Sequence, residues 1–358
     1  MVNHMKKHLL LLCALASSGV AADDSASIHL MFQPEDDVHL RKEFLTEIHV
    51  TLEEFQIALN DDPFGTLFDD LIVTTDIEQQ VVVEDSYGPF KDGRPISVDR
   101  HFKTITEEIE IASRYESFNE QYDSISYLDG TSDLEATRIE FWWEDGEYDR
   151  GFHKWDRGSD CELMRGLREN MDLRALLPDE TVKVGGRWDI EVGHLVDILS
   201  PGGYLPWSLE TEDLATVLGN SLDPALMGDL RQGLSNALEG DLVACLVDEE
   251  DGIATIRLEV DVESSQYIDD LSGLAARILQ DELSFWSLEI VSISLEFELE
   301  GQGEAHWDTH SNHLESFEWK GEFRSNLDLS VGLGARHDLL LQVRTSLSGK
   351  LKQSVLVE

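Results

Sequence analysis

By residue type and spacing, the positions best suited to chemistry are His306, Asp308, His310 and His313. Neutral imidazoles and a carboxylate are ligands for zinc or a related divalent metal. The spacing H-x3-H-x2-H is not that of a helical zinc motif, because both flanks alternate like strands. A connecting loop would have to bring the ligands together, and a loop does not by itself orient them. The competing reading is a set of polar turn residues in a chain with 12 histidines. Cys161 and Cys245 form the other reactive pair. In an oxidising compartment they are candidates for a disulfide, with two free thiols as the alternative. No catalytic residue emerges: G-x-S-x-G, H-E-x-x-H, the phosphate loop and the Rossmann glycine fingerprint are all absent. Asp and Glu number 73 in 358 residues, so any carboxylate spacing wanted for glycoside hydrolysis arises by chance. A divalent metal is thus the one cofactor the sequence suggests.

The elements that must position these residues read mainly as strands. From Leu288 to Val331, apolar residues (Val291, Ile293, Leu295, Phe297, Leu299) alternate with Ser and Glu. After Gly301-Gln302-Gly303 the alternation resumes at Phe317, Trp319 and Phe323. Period two over this length predicts two long antiparallel strands with odd-numbered residues, Trp307 included, facing the core. The histidines then belong at the strand ends. Val38, Leu40, Phe44, Ile48, Val50 and Leu52 share a parity, with Lys42 and Thr46 as polar exceptions. The parity changes at Glu53-Glu54, which predicts a bulge. Asp145-Gly146 predicts a tight hairpin pairing Trp143 with Tyr148, Phe141 with Arg150 and Ile139 with Phe152. Its aromatic face suits a core better than a sugar platform, while Glu140, Asp149 and His153 lie on the other face. A second hairpin at Asp251-Gly252 predicts Cys245 opposite Leu258 and pointing inward. Helices are expected from Ser159 to Glu169, over 212–218, from Pro224 to Gly240 and over 269–280. The fold class is α+β, mainly antiparallel β: a long-stranded, curved, half-barrel-like meander with a few helices packed on one side. One β-rich domain is expected over 23–358, with two β lobes (27–200 and 240–358) around a helical segment at 201–240 as the alternative.

Residues 1–22 read as a signal peptide. Lys6 and Lys7 precede the apolar run Leu9–Leu15, and small residues place cleavage near Ala21 or Ala22. The run is shorter than the roughly 20 residues of a membrane span. The formal net charge is −46, and the leader takes two lysines with it. Such a field repels nucleic acid and anionic lipid. The expected location is the periplasm or the exterior of a bacterial cell, without a membrane span.

Leu176-Leu177-Pro178, Val182-Lys183-Val184-Gly185 with Trp188, Ala254-Thr255-Ile256, Gly301-Gln302-Gly303 and Trp307-Asp308 follow one another in an order that resembles uncharacterised exported β-rich proteins of planctomycete-type bacteria. Gly166-Leu167-Arg168-Glu169 and Pro201-Gly202-Gly203 add to the likeness. It departs at Gly186, where an acidic residue is usual, and at Asn312-His313, where Gly and a basic residue are usual. The resemblance implies export and a β-rich fold, and no activity. The favoured reading is a non-enzymatic binding or cell-envelope-associated module, with an apolar ligand or an envelope component as partner. The alternatives are a metal-binding protein using His306, Asp308, His310 and His313, and a carboxylate-based hydrolase.

Overall fold

The computed structural model describes residues 27–35, 38–60, 62–63, 71–91, 93–117, 120–154, 160–209, 238–267, 288–333 and 339–358. The leader and the helices expected over 212–218 and 269–280 lie outside them. So does most of the helix expected from Pro224 to Gly240, and its last residues, from Glu239, are already strand.

The first half contributes strands β1 (His39–Leu59), β2 (Asp62–Pro63), β3 (Ile72–Tyr87), β4 (Phe90–Lys91), β5 (Arg94–Pro95) and β6 (Ser97–Ser117). Strands β7 (Glu120–Thr131), β8 (Arg138–Glu144), β9 (Glu147–Phe152), β10 (Arg187–Asp189) and β11 (Ser208–Leu209) follow. The second half adds β12 (Glu239–Glu250), β13 (Ile253–Tyr267), β14 (Leu288–Asp308), β15 (His313–Leu333) and β16 (Leu339–Val357). All but β4 and β5 join one sheet. Its main path runs β10-β12-β13-β14-β15-β16-β1-β3-β6-β7-β11, with the β8–β9 hairpin on the other half of β6's edge. Every pairing is antiparallel. The last strand pairs with the first, Phe44 opposite Val355, so the two halves of the chain form one continuous curved sheet that does not close.

The pleat gives this sheet two chemically distinct faces. Phe44, Val81, Ile105, Leu258, Ala305, Phe317 and Val355 are buried on one face. Glu78, Glu108, Glu259, Glu298, Glu300 and Glu304 are exposed on the other. No helix among the described residues is long and apolar enough to cross a membrane. Against the apolar face lies an inner layer made of residues 27–35 and 160–207, contributing Leu30, Phe32, Leu167, Met171, Leu176, Leu195 and Ile198 to the core.

That layer is where the expected helices change character. The only α-helix among the described residues is α1 (Leu195–Leu199). The helix expected from Ser159 is a single 3-10 turn, Cys161–Met164, capped by Asp160. Gly166 then takes φ +86 and Leu167 bridges to Gly203, which carries the chain out of helical geometry. The described residues are therefore mainly antiparallel β with little helix. The first hairpin has the expected register, with Trp143 opposite Tyr148 and Ile139 opposite Phe152, and Ile139 and Phe141 are fully buried. Odd-numbered Leu299, Ala305, Trp307, Phe317 and Trp319 face the core, and the bulge between Leu52 and Glu54 is present. The second hairpin corrects the expectation. A bulge between Leu246 and Asp248 slips the register by one, so Cys245 pairs with Arg257 and Ala244 with Leu258. Cys245 accordingly lies on the charged face.

Gly301 and Gly303 look like punctuation in the sequence, yet β14 runs through both. The reason is Trp319 on the neighbouring strand, whose indole lies flat over a glycine floor. A Cβ on Gly301 would meet Trp319 Cζ2 at 2.3 Å, one on Gly321 would meet Cη2 at 2.2 Å, and one on Gly303 would meet Cδ1 at 2.8 Å. Gly321→Ala should therefore displace a fully buried ring and cost about 1–3 kcal/mol, read as a lower denaturant midpoint, while Glu300→Gln on the opposite face should leave the midpoint unchanged.

Candidate ligand-binding site

A cavity of about 1260 Å³ lies on the charged face of the sheet, lined by β1, β3, β6, β7, β10 and β12 to β16. Leu128, Ile109, Ile77 and Ile48 are successive cross-strand partners. The same rung continues from Ile48 through Leu351, Gly321 and Gly301 to Val260. These residues border the cavity with their backbone, and the side chains that point into it are their neighbours of opposite parity, among them Glu47, Asp76, Glu78, Glu108, Glu259, Glu300 and Lys352. On β12 Asp241 and Val243 line it while Leu242 between them does not, and Trp319, which covers Gly301 and Gly321 on the apolar face, takes no part. The wall carries eleven carboxylates against Arg187, Lys320, Lys350 and Lys352, so its field is negative. On the apolar face the side chains of Ile48, Ile77, Ile109 and Leu351 are half-buried, in contrast to Phe44, Val81, Ile105 and Val355, four residues earlier or later on the same strands.

One rung toward the core, the same face turns polar. Glu107, Gln79, Thr46, Gln353 and Trp319 are successive partners. Gln79 Nε2 donates to Glu107 Oε1 at 2.5 Å, and burial pushes the Glu107 carboxyl above its ordinary value, an effect this hydrogen bond partly offsets. Gln353 Nε2 donates to the carbonyl of Leu199 at 3.3 Å, and the charge of Glu107 adds to the burial that raises the Tyr204 phenol. The 199–204 turn of the inner layer thus reaches this rung. The side chains of Trp319 and Gln353 are each 1% exposed, yet Trp319 Nε1 and Gln353 Oε1 have no hydrogen-bond partner.

What holds the inner layer at that depth is a buried ionic network. Lys42, one of the two polar exceptions on β1, is 1% exposed, and Asp85 and Arg100 are fully buried. Lys42 Nζ donates to Asp85 at 2.7 Å and to Asp172 of the inner layer. Arg100 grips Asp85 with two hydrogen bonds of 2.8 Å. It also donates to the backbone carbonyls of Arg168 and Glu169, at 2.9 and 2.7 Å. The Tyr87 hydroxyl donates to Asp172 at 2.5 Å, and Arg174 closes the set onto Glu169 at 2.7 Å. Burial pushes the Asp85 carboxyl up, but Arg100 and Lys42 more than offset that and hold it at about 2. Burial and the two carboxylates hold the Tyr87 phenol protonated, well above its usual range. Strands β1, β3 and β6 are in this way tied to one loop by charges that have no access to water.

The sequence-selected residues lie elsewhere. His306 contacts Ser316 Oγ at 3.0 Å and Glu304 at 3.5 Å. Asp308 accepts the backbone N–H groups of His310 and Ser311 at 2.7 and 3.0 Å. Burial raises its pKa, but its interactions with Ser311 and His310 and the charge of His313 more than compensate, so the net shift is downward. His310 is exposed and rests on Gly252 of the adjacent turn, and His313 Nδ1 sits 2.8 Å from the carbonyl of Leu314. Each has its own local partner in a β-turn, and their ligand atoms do not gather within the 4.8 Å that marks a metal-ready group. Among the described residues, one group does gather at that distance: Asp99, Glu140 and His153, on the charged face. Cys161 and Cys245 are both free, the first exposed.

No family model and no curated protein matches this chain. Among solved structures, an outer membrane channel of Pseudomonas putida F1 is 8% identical, with 95% of this chain and all of the channel covered and a TM-score of 0.17. OccK7 (OpdD) of Pseudomonas aeruginosa is 6% identical over 88% of this chain and 98% of its own, with a TM-score of 0.14. At such TM-scores neither carries an argument about this protein.

The ionic network makes a pH prediction. The folded-state pKa of Asp85 lies below its ordinary 3.8. Its contribution is therefore complete above pH ~4 and is lost as pH falls toward ~2, amounting to about 2 kcal/mol. Asp85→Asn should flatten the stability–pH curve in that window. Lys42→Met, which removes the ammonium shared by two buried carboxylates, should cost about 3–5 kcal/mol at neutral pH. Urea titrations at pH 2.5, 4 and 7 check both.

Proposed function

We propose that this protein is an exported, non-enzymatic binding module that holds a polycationic ligand in the cavity on the charged face of its sheet. The observation that carries the reading is the lining, in which eleven carboxylates, Glu78, Glu108 and Glu300 among them, outnumber Arg187, Lys320, Lys350 and Lys352. A recess walled by one sign of charge concentrates ligands of the other. The cavity exceeds the ~300–1,000 Å³ of drug-sized sites, which favours an extended ligand. A formal net charge of −46 acts in the same direction. Export rests on the leader-like residues 1–22, with their Lys6-Lys7 pair and apolar run, and suits a binder of cationic molecules outside the cytoplasm or at the cell envelope.

The test is calorimetric titration of the mature protein with spermine at low and high salt. Binding that weakens as salt rises is expected. Asp76→Asn/Glu78→Gln and Glu108→Gln/Glu110→Gln, which discharge the wall on adjacent strands, should each weaken it several-fold while the far-UV circular dichroism is kept. Glu298→Gln, on the same face but outside the lining, should bind like the parent. Absence of binding, or undiminished binding by the two double variants, would overturn the reading.

A further inference from the structure

On the charged face, outside the cavity lining, β6 and the β8–β9 hairpin bring together residues that nothing above uses. Asp99 on β6 and Glu140 on β8 are direct cross-strand partners. His153 follows β9, with its backbone N–H bonded to the carbonyl of Arg138 at 2.9 Å. Ligand atoms of Asp99, Glu140 and His153 all lie within 4.8 Å of one another. From this we infer that the three residues form a binding site for a divalent transition ion such as zinc or manganese.

The charges in the group are unbalanced. Two carboxylates face each other across paired strands, an arrangement that destabilises a sheet unless a cation stands between them. The only cation-capable partner recorded for either is His153, whose Nε2 lies 3.5 Å from Glu140 Oε1. No lysine or arginine among the described residues forms an ion pair with Asp99. The second imidazole nitrogen, Nδ1, is buried and has no hydrogen-bond partner, so the ring is not committed to an internal network. Two carboxylate oxygens and one imidazole nitrogen suit zinc or manganese better than calcium, which prefers oxygen alone. Because Glu140 is exposed, water can complete the coordination. The ligands come from three neighbouring strands, and a bound ion would staple the β8–β9 hairpin to β6. That hairpin carries Ile139 and Phe141, both fully buried core residues.

The experiment uses mature protein stripped with chelator and titrated with Zn²⁺ or Mn²⁺ alone, followed by calorimetry and thermal melting. One ion per chain is expected, with a melting rise of about 5 °C at a hundredfold excess over Kd. His153→Gln and the pair Asp99→Asn/Glu140→Gln should each lose affinity at least tenfold and abolish the rise. Asp99→Asn should also melt higher than the parent in the metal-free state, because one of two opposed charges is gone. The triple variant His306→Gln/His310→Gln/His313→Gln should bind like the parent. Binding that survives His153→Gln but disappears in the triple variant would move the site to the β14–β15 turn and overturn the inference, as would the absence of a stoichiometric site. Both results are independent of ligand binding in the cavity.

Discussion

The structure depends on one buried ionic contact, Lys42 with Asp85 and Asp172, completed by Arg100. A sheet of very long strands has no intrinsic reason to curl to a particular radius or to accept an inner layer at a particular depth. Apolar packing alone is nondirectional and would tolerate many depths. The charges remove that freedom, because each buried ion must find its partners in one geometry or bear a desolvation cost of several kcal/mol. Asp172 has to reach Lys42, and the carbonyls of Arg168 and Glu169 have to reach Arg100. Residues 168–174 can therefore sit at one level only.

The fixed level also divides the apolar face. Phe44, Val81, Ile105 and Val355 belong to the core beneath the inner layer. The rung of Glu107, Gln79, Thr46 and Gln353 marks the boundary, and its buried groups contact the 199–204 turn. Trp319 bridges the two levels, its indole spanning Gly303 on the polar rung and Gly301 and Gly321 on the next. The glycines give the ring room, and the ring covers the rung where it has no side chains. The cavity lies behind those glycines, on the charged face, where Glu300, Gln302, Lys320 and Glu322 line it.

Much of this was legible in the sequence. Alternation is a local signal, so the long strands, the parity of Phe317 and Trp319, the first hairpin's register and the bulge after Leu52 could all be read from it. The two polar exceptions on β1 were the trace of the interior: Lys42 marks the ionic network and Thr46 the polar rung. Their partners could not be read, since Asp85 and Asp172 lie 43 and 130 positions from Lys42 and no local pattern links them. The second hairpin misled because one bulged residue reverses which face Cys245 takes. The histidine turn drew attention by residue type, but a carboxylate two residues before a backbone N–H is also what closes a turn, and Asp308 does that. Asp99, Glu140 and His153 gave no sequence signal, because two of them meet only through the pairing of β6 with β8.

The central claim is that the charged wall of the cavity is the surface that meets a ligand. Amide and methyl NMR with spermine added tests it most directly. The account predicts saturable, salt-sensitive shifts at Glu47, Asp76, Glu78, Glu108, Val243, Glu259 and Glu300, with the core methyls of Val81, Ile105 and Leu176 undisturbed. Shifts centred on those core methyls, or no saturable shifts at all, would contradict it.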